Sequence, residues 1–234
     1  LFFHTVLLKS LTFPVSGNIF QIFSTRSLMF YWKWKQNFAR PGVFPGSFLV
    51  FWKMNKHHRP LQEFAMRFFR IPERGKILDV GCGGGFFIAS MLRRAPEAHF
   101  CGVDCSPVSV RKTLAFNRRA VREGRVEAVE GSVSNLPFAE ASFDLVTASE
   151  TIYFWPDPAN DVREVFRVLR PGGTFAVCCD SSNPETAKRY TDRIHGMKVY
   201  TPAELCAFLS GAGFSEVEAH CDPASEMVCV TGRK

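Results

Sequence analysis

An acid and four glycines stand close together in Ile77-Leu78-Asp79-Val80-Gly81-Cys82-Gly83-Gly84-Gly85, and a second acid, Asp104, follows 19 residues after Gly85. Glycines let a backbone turn tightly and approach a ligand with no Cβ in the way. A helix that starts after such a turn presents free N–H groups and the positive end of its dipole, which suits an anionic group such as a carboxylate. A carboxylate that closes the next strand can accept hydrogen bonds from two ribose hydroxyls. The dinucleotide fingerprint G-x-G-x-x-G is the competing pattern. Counted from Gly81 its third glycine falls on Phe86, and counted from Gly83 it falls on Ile88, so both frames fail. The chain has Asp79-x-Gly81-x-Gly83-x-Gly85 instead. An acid directly before the glycines fits a ligand carrying an amine and a sulfonium better than one carrying pyrophosphate.

Alternating strands and helices must position these residues. Ile77–Val80 reads as a short buried strand and Phe86–Arg94 as a helix, closed by Ala95-Pro96. His99–Val103 is the second strand. Ser106-Pro107 is a good helix start, Ser as N-cap and Pro at the first position, for a helix running to about Glu123. Val126–Glu130 and Phe143–Ala148 are the third and fourth strands. Pro158–Leu169 is helical, Arg170–Gly173 a turn, and Thr174–Cys179 the fifth strand. Thr201, with Glu204 three residues on, caps a helix that stops at Gly211–Gly213. Phe214–Ala219 and Met227–Thr231 are expected to pair antiparallel. Upstream, Leu61–Phe69 has apolar residues at 61, 64, 65, 68 and 69, one helical face that Pro72 ends. Alternation with short connections predicts a mostly parallel sheet covered on both faces, with ligands beyond the strand C-termini where strand order reverses. The glycine turn after the first strand is the natural place.

Composition narrows the class. At 234 residues, 46% hydrophobic and 22% charged, the chain is foldable and fits neither wholesale disorder nor a collagen-like repeat. It contains no run of 18 apolar residues, the length of a bilayer-spanning helix. Residues 1–75 hold eleven Lys/Arg against two Asp/Glu, so the basic excess sits in the N-terminal third. An aromatic, basic arm, Phe30-Tyr31-Trp32-Lys33-Trp34-Lys35, could touch lipid headgroups or nucleic acid, or serve as the solvated face of a capping helix. The eight cysteines form no C-x-x-C pair, so no zinc site is expected, and most lie in apolar runs. Reduced cysteines and a cytoplasmic location are the expectation. Residues 1–28, Phe-rich and without the layout of a secretory signal, read as a disordered or non-native extension. Residues 29–75 read as an N-terminal helical cap, and 76–234 as the main domain.

The glycine segment resembles motif I of class I S-adenosylmethionine-dependent methyltransferases. Four further segments fall in the same order: Cys101-Gly-Val-Asp104-Cys-Ser, Gly131-Ser-Val-Ser-Asn-Leu-Pro-Phe138, Ser142-Phe-Asp-Leu-Val146 and Val168-Leu-Arg-Pro-Gly-Gly-Thr174. The likeness covers roughly residues 55–234 and is nearest to small bacterial ubiquinone-biosynthesis-like enzymes, the methyltransferase type 11 group. It implies an α/β fold, a Rossmann-like doubly wound, mostly parallel sheet with an antiparallel C-terminal hairpin. It also implies S-adenosyl-L-methionine as cofactor and S-adenosyl-L-homocysteine as product.

Residue by residue, the resemblance implies that Asp79, Gly81 and Gly83, with Cys82 and Gly85 in the same turn, line the methionine end. Asp104 would hold the ribose, with Cys105 beside the adenine. Ser132 and Val133 would edge the adenine, and Ala148 and Ser149 would lie behind the methionine amine. Many relatives carry Asp where this chain has Ser132, and often His where it has Tyr153-Phe154-Trp155. A hydroxyl at 132 can still bond the adenine amino group, without charge.

The reaction implied is in-line methyl transfer to a small, apolar or aromatic acceptor, with the protein chiefly supplying alignment. Tyr153, Glu150 and His58 are the candidate general bases; His58 shares with His57 a polar break that in relatives folds over the pocket. No metal is expected. Nucleic acid is disfavoured as a partner, for want of a base-reading motif, and peripheral membrane contact through the basic arm stays open. The alternatives are an NAD(P)-dependent oxidoreductase, opposed by the failed glycine frames, and a non-catalytic cofactor-binding protein with a membrane- or RNA-contacting arm.

Overall fold

A computed structural model describes residues 58–234. The expected extension at 1–28 and the part of the cap at 29–57, including the Phe30–Lys35 arm and His57, lie outside the described residues.

Strand composition explains the layers. β1 (Lys76–Val80), β2 (His99–Asp104), β4 (Phe143–Ser149) and β5 (Leu169–Cys179) carry runs of buried apolar residues, the signature of strands covered on both faces, while β3 (Val126–Glu130) buries only Val126. Alternate residues go to opposite sides. Leu78, Val80, Val146, Ala148, Phe175 and Val177 join one core with Val162, Val165, Leu205 and Leu209. Ile77, Leu145, Ala176 and Cys178 join the other with Leu61, Phe64, Ile88 and Met91. Burying each of these larger side chains contributes about 1.5–3 kcal/mol.

The strand order is β3-β2-β1-β4-β5-β7-β6, where β6 is Ser215–Cys221 and β7 is Val228–Arg233. Neighbours from β3 through β5 pair in parallel, and β7 is antiparallel to both β5 and β6. This is a Rossmann-like, mostly parallel sheet with an antiparallel C-terminal hairpin. Strand order reverses at β1, which lies between β2 and β4, so the crevice beyond its C-terminal end falls at the glycine turn.

Helical residues 58–65 (α1) are followed by α2 (Phe86–Leu92), α3 (Pro107–Phe116), α4 (Arg118–Arg122), α5 (Pro158–Val168), α6 (Pro184–Thr191) and α7 (Pro202–Ala212). The capping signals act as expected: Ser106 accepts from the Ser109 N–H, and Thr201 and Glu204 complete a capping box.

Two expectations are corrected. The helix read from Pro107 to about Glu123 breaks at Asn117, whose Nδ2 donates to the Gly85 and Thr113 carbonyls, each at 3.0 Å. A side chain that bonds backbone carbonyls competes with the helix ladder. The Arg170–Gly173 turn lies inside β5: the register passes from Phe143↔Leu169 to Leu145↔Thr174, so the Pro-Gly-Gly segment bulges while β4 advances two residues. Lys234 pins the bulge, donating to the Gly173 carbonyl and accepting from the Gly172 N–H. As expected, the capped helix ends within Gly211–Gly213: α7 stops at Gly213, which has φ +103°. α6 has no counterpart in the sequence reading, although Asn183-Pro184-Glu185 carries the cap-plus-proline signal for its start.

Candidate active site

The C-terminal ends of β1, β2 and β4 meet at one cavity. Its lining includes Asp79, Gly81, Cys82 and Gly83 from the first turn, Asp104 and Cys105 after β2, Ser132 and Val133 after β3, and Ser149, Glu150 and Thr151 after β4. α1 adds His58 and Gln62. Of the residues predicted from sequence, Gly85, Ala148 and Tyr153 do not line it. Gly85 is the N-cap of α2, and Ala148 and Tyr153 belong to the core.

The turn is shaped by where its glycines leave room. Gly81 has φ +73°, and a Cβ there would stand 2.3 Å from Thr151 Cγ2. Gly83 has φ +53°, and a Cβ there would meet nothing nearer than the Gly81 carbonyl at 4.0 Å, so a side chain would project into the cavity. The first glycine lets two loops touch, and the second keeps the ligand space clear.

Asp104 ties the two strand ends together. Its Oδ2 accepts from the Gly83 N–H at 2.9 Å and its Oδ1 from the Ser106 N–H at 2.9 Å. A carboxylate has about four acceptor positions, so it can still receive hydroxyls from the cavity side. Burial raises its pKa above the ordinary carboxylate range, against the lowering effect of the Ser106 and Gly83 N–H groups. Asp79 is 3% exposed and accepts from Thr147 Oγ1 at 2.7 Å. Burial pushes its pKa up to about 7, the Thr147 bond opposes this, and the charge of Asp104 adds to it. Asp79 therefore changes charge near neutrality, unlike an exposed Asp. Burial, with the charge of Asp104 behind it, also holds the Cys82 thiol protonated.

The third loop is a tight turn. Ser132 Oγ accepts from the Ser134 N–H at 3.2 Å, and Asn135 N–H donates to the Ser132 carbonyl. Ser132 thereby presents its edge to the cavity while Val133 packs inward.

Sequence reasoning missed several lining residues: Gln62, Phe86, Phe87, Thr151, Phe154, Trp155 and Pro156 among them. Gln62 had a signal, a polar residue four positions after His58 at helical spacing. Its Oε1 is buried with no hydrogen-bond partner, as is Ser149 Oγ. Buried polar atoms are normally satisfied, so two unpaired ones on a cavity wall fit a ligand that carries hydrogen-bond donors. No cluster of three or more His, Cys, Asp or Glu among the described residues could hold a metal ion.

Residues 78–177 match the family described as a methyltransferase domain. That segment is similar to a methyltransferase domain, and the fold around it is the one shared by solved S-adenosylmethionine-dependent methyltransferases. The cofactor of such methyltransferases is S-adenosylmethionine, and the cavity fits it: a cleared glycine turn, a carboxylate at each of the first two strand ends, and unpaired acceptors for an ammonium group. Demethylmenaquinone methyltransferase of Listeria welshimeri is 35% identical over 133 residues, 55% of this chain and 54% of that one. An uncharacterized chloroplastic methyltransferase of Arabidopsis thaliana is 32% identical over 147 residues, 61% of this chain and 38% of its own. This chain thus spans about half or less of the length of these curated relatives. A SAM-dependent methyltransferase structure from Aquifex aeolicus superposes with a TM-score of 0.65 at 18% identity, covering 82% of this chain and 99% of that one; it shares the fold.

Proposed function

We propose that this protein transfers the methyl group of S-adenosylmethionine to a small, apolar or aromatic organic acceptor. The observation that carries the reading is the convergence of Asp79, the Gly81–Gly83 turn, Asp104 and Ser149 on one cavity. In this reading the cofactor ammonium and carboxylate lie at the turn, near Asp79, Cys82 and Ser149. The ribose lies on Asp104 and the adenine between Cys105 and the Ser132–Val133 edge. Gly85 shapes the turn from behind, and Ala148 backs the site from the core. The bound cofactor supplies a methyl group already activated by positive sulfur, so the chain's task is alignment and exclusion of water.

Phe86, Phe87, Phe154 and Trp155 on the same wall favour a flat or apolar acceptor over a charged one. The Listeria relative is named for a quinone acceptor, which is compatible with such a wall. The domain organisation proposed is an extension at 1–28, a helical cap at 29–75 and the cofactor-binding domain at 76–234. A reducing, cytoplasmic setting is proposed from eight cysteines without a disulfide. No described helix is long and apolar enough to cross a membrane.

Two measurements test the reading. S-adenosylhomocysteine should raise the thermal midpoint of the full chain, and NAD or NADP should not. A metabolite extract incubated with labelled methyl donor should yield one or a few labelled small molecules. A midpoint moved by the nicotinamide cofactors alone, or extract label confined to protein or RNA, would overturn it.

A further inference from the structure

A second cavity, of ≈ 230 Å³, lies between α1 and α2 and shares only Gln62 with the cavity at the strand ends. Helical spacing builds both of its walls. Arg59, Gln62 and Glu63 stand at i, i+3 and i+4 on one face of α1, and Ser90, Arg93 and Arg94 repeat that spacing at the end of α2. Three guanidinium groups thus meet one carboxylate around an open space.

Two of the arginines are held in place by the fold. Arg93 Nη1 donates to the Ala89 carbonyl at 3.1 Å, and its Nη2 to Ser90 Oγ at 3.2 Å. The first of these bonds covers a carbonyl in the last turn of α2 and so offsets the negative end of that helix. Arg94 Nη1 donates to the Met66 carbonyl at 3.2 Å, which ties the end of α2 to the chain just past α1. Arg59 is held only by Glu63, Nε to Oε1 at 2.8 Å, and both side chains are more than half exposed. The hydrogen bond from Arg59 and its charge, then the charges of Arg94 and Arg93, hold the Glu63 carboxyl below the ordinary carboxylate range, so all three cations act on one point. A guanidinium has five N–H donors, and these four bonds leave most of them unspent. An exposed ion pair contributes only about 0–1 kcal/mol, so an anion of higher charge can take Arg59 from Glu63.

We propose that this cavity binds a phosphate group, carried by a small molecule or by a lipid headgroup. Arginine forks match phosphate oxygens two at a time. Arg93 and Arg94 are positioned before a ligand arrives, so less side-chain freedom is left to lose on binding. The volume is below the roughly 300–1,000 Å³ of a pocket for a drug-sized ligand, which suits one phosphate on a short attachment. On binding, phosphate oxygens replace Glu63 Oε1 at Arg59 and bridge Arg59 of α1 to Arg93 and Arg94 at the end of α2. The ligand thereby clips the two helices together. The site uses neither cofactor nor methyl acceptor, so it stands or falls apart from the methyl-transfer reading.

The test uses the full chain without cofactor at pH 7.5. Inorganic phosphate and glycerol 3-phosphate are titrated by calorimetry and thermal unfolding, against acetate and chloride at matched ionic strength. Vesicles of phosphatidylcholine with and without phosphatidate form the lipid arm. A soluble phosphate should bind saturably and raise the thermal midpoint. Arg59→Gln and Arg94→Gln should each weaken binding by about tenfold. Glu63→Gln removes the competing carboxylate and should tighten it by up to about fivefold, a gain that a damaged fold would not produce. Binding confined to phosphatidate vesicles, with the same response to the three variants, assigns the phosphate to a lipid headgroup. Saturable binding in neither arm, acetate or chloride binding as well as phosphate, or binding indifferent to Arg59, Arg94 and Glu63 overturns the site.

Discussion

Asp79 should make cofactor affinity depend on pH in a way that an exposed carboxylate would not. Its pKa, about 7 against an ordinary 3.8, is raised first by burial and then by the charge of Asp104, while Thr147 lowers it. A pKa raised in the folded state contributes stability that is full below pH 3.8 and is lost as pH climbs through about 7. The shift of about 3 units corresponds to a difference of about 4 kcal/mol between the acid and neutral limits. A ligand ammonium beside Asp79 favours its ionised form and so must displace the proton. Affinity for S-adenosylhomocysteine should therefore rise up to about tenfold per pH unit below pH 7 and level off above it. The assay is titration calorimetry between pH 5.5 and 8.5, repeated at pH 6.5 in two buffers of different ionisation enthalpy. Binding there should release about three-quarters of a proton. Asp79→Asn, close in shape and without a charge to lose, should bind weakly with a flat pH profile, and its thermal midpoint should no longer decline from pH 5 to 8. A flat wild-type affinity profile, or Asp79→Asn binding as tightly as wild type at pH 8, would refute the placement of the ammonium at Asp79.

Asp104→Ala removes the acceptor for the Gly83 and Ser106 N–H groups as well as the proposed ribose contact. Affinity for S-adenosylhomocysteine should fall by on the order of 1.5–3 kcal/mol, and unchanged affinity in calorimetry would count against the ribose assignment. Gly81→Ala puts a Cβ in a left-handed backbone and 2.3 Å from Thr151 Cγ2. Denaturant unfolding should show a loss of more than about 2 kcal/mol, partly restored by Thr151→Ser, which deletes the methyl group in the way. Equal stability of Gly81→Ala and wild type would mean that the turn does not need its left-handed residue.

Much of this protein is legible along the chain because the relevant signals are local. The short apolar runs Ile77–Val80 and Phe143–Ala148, the Ser106-Pro107 start and the Thr201–Glu204 box each act within a few residues. The failed third glycine at Phe86 and Ile88 separated this turn from a dinucleotide pattern by spacing alone, and Asp104 put a second carboxylate at the end of the neighbouring strand. Where tertiary contacts compete with local preference, the linear reading failed. Asn117 breaks a helix because its amide reaches Gly85, 32 residues earlier. The Arg170–Gly173 segment stays within β5 because Lys234 bonds to it from the far end of the chain.

The sequence by itself determined the strand–helix alternation, the glycine cradle and the two carboxylates, since a strand end, a turn and a helix start are set by neighbouring residues. Only the tertiary structure decided which of three equivalent-looking candidates faces the cavity. Tyr153 is buried behind Glu150, Glu150 is turned toward the cavity, and His58 arrives from a helix some ninety residues away in sequence. That arrangement depends on how α1 packs on the sheet through Leu61, Phe64 and Ala65, a long-range burial that no spacing along the chain encodes.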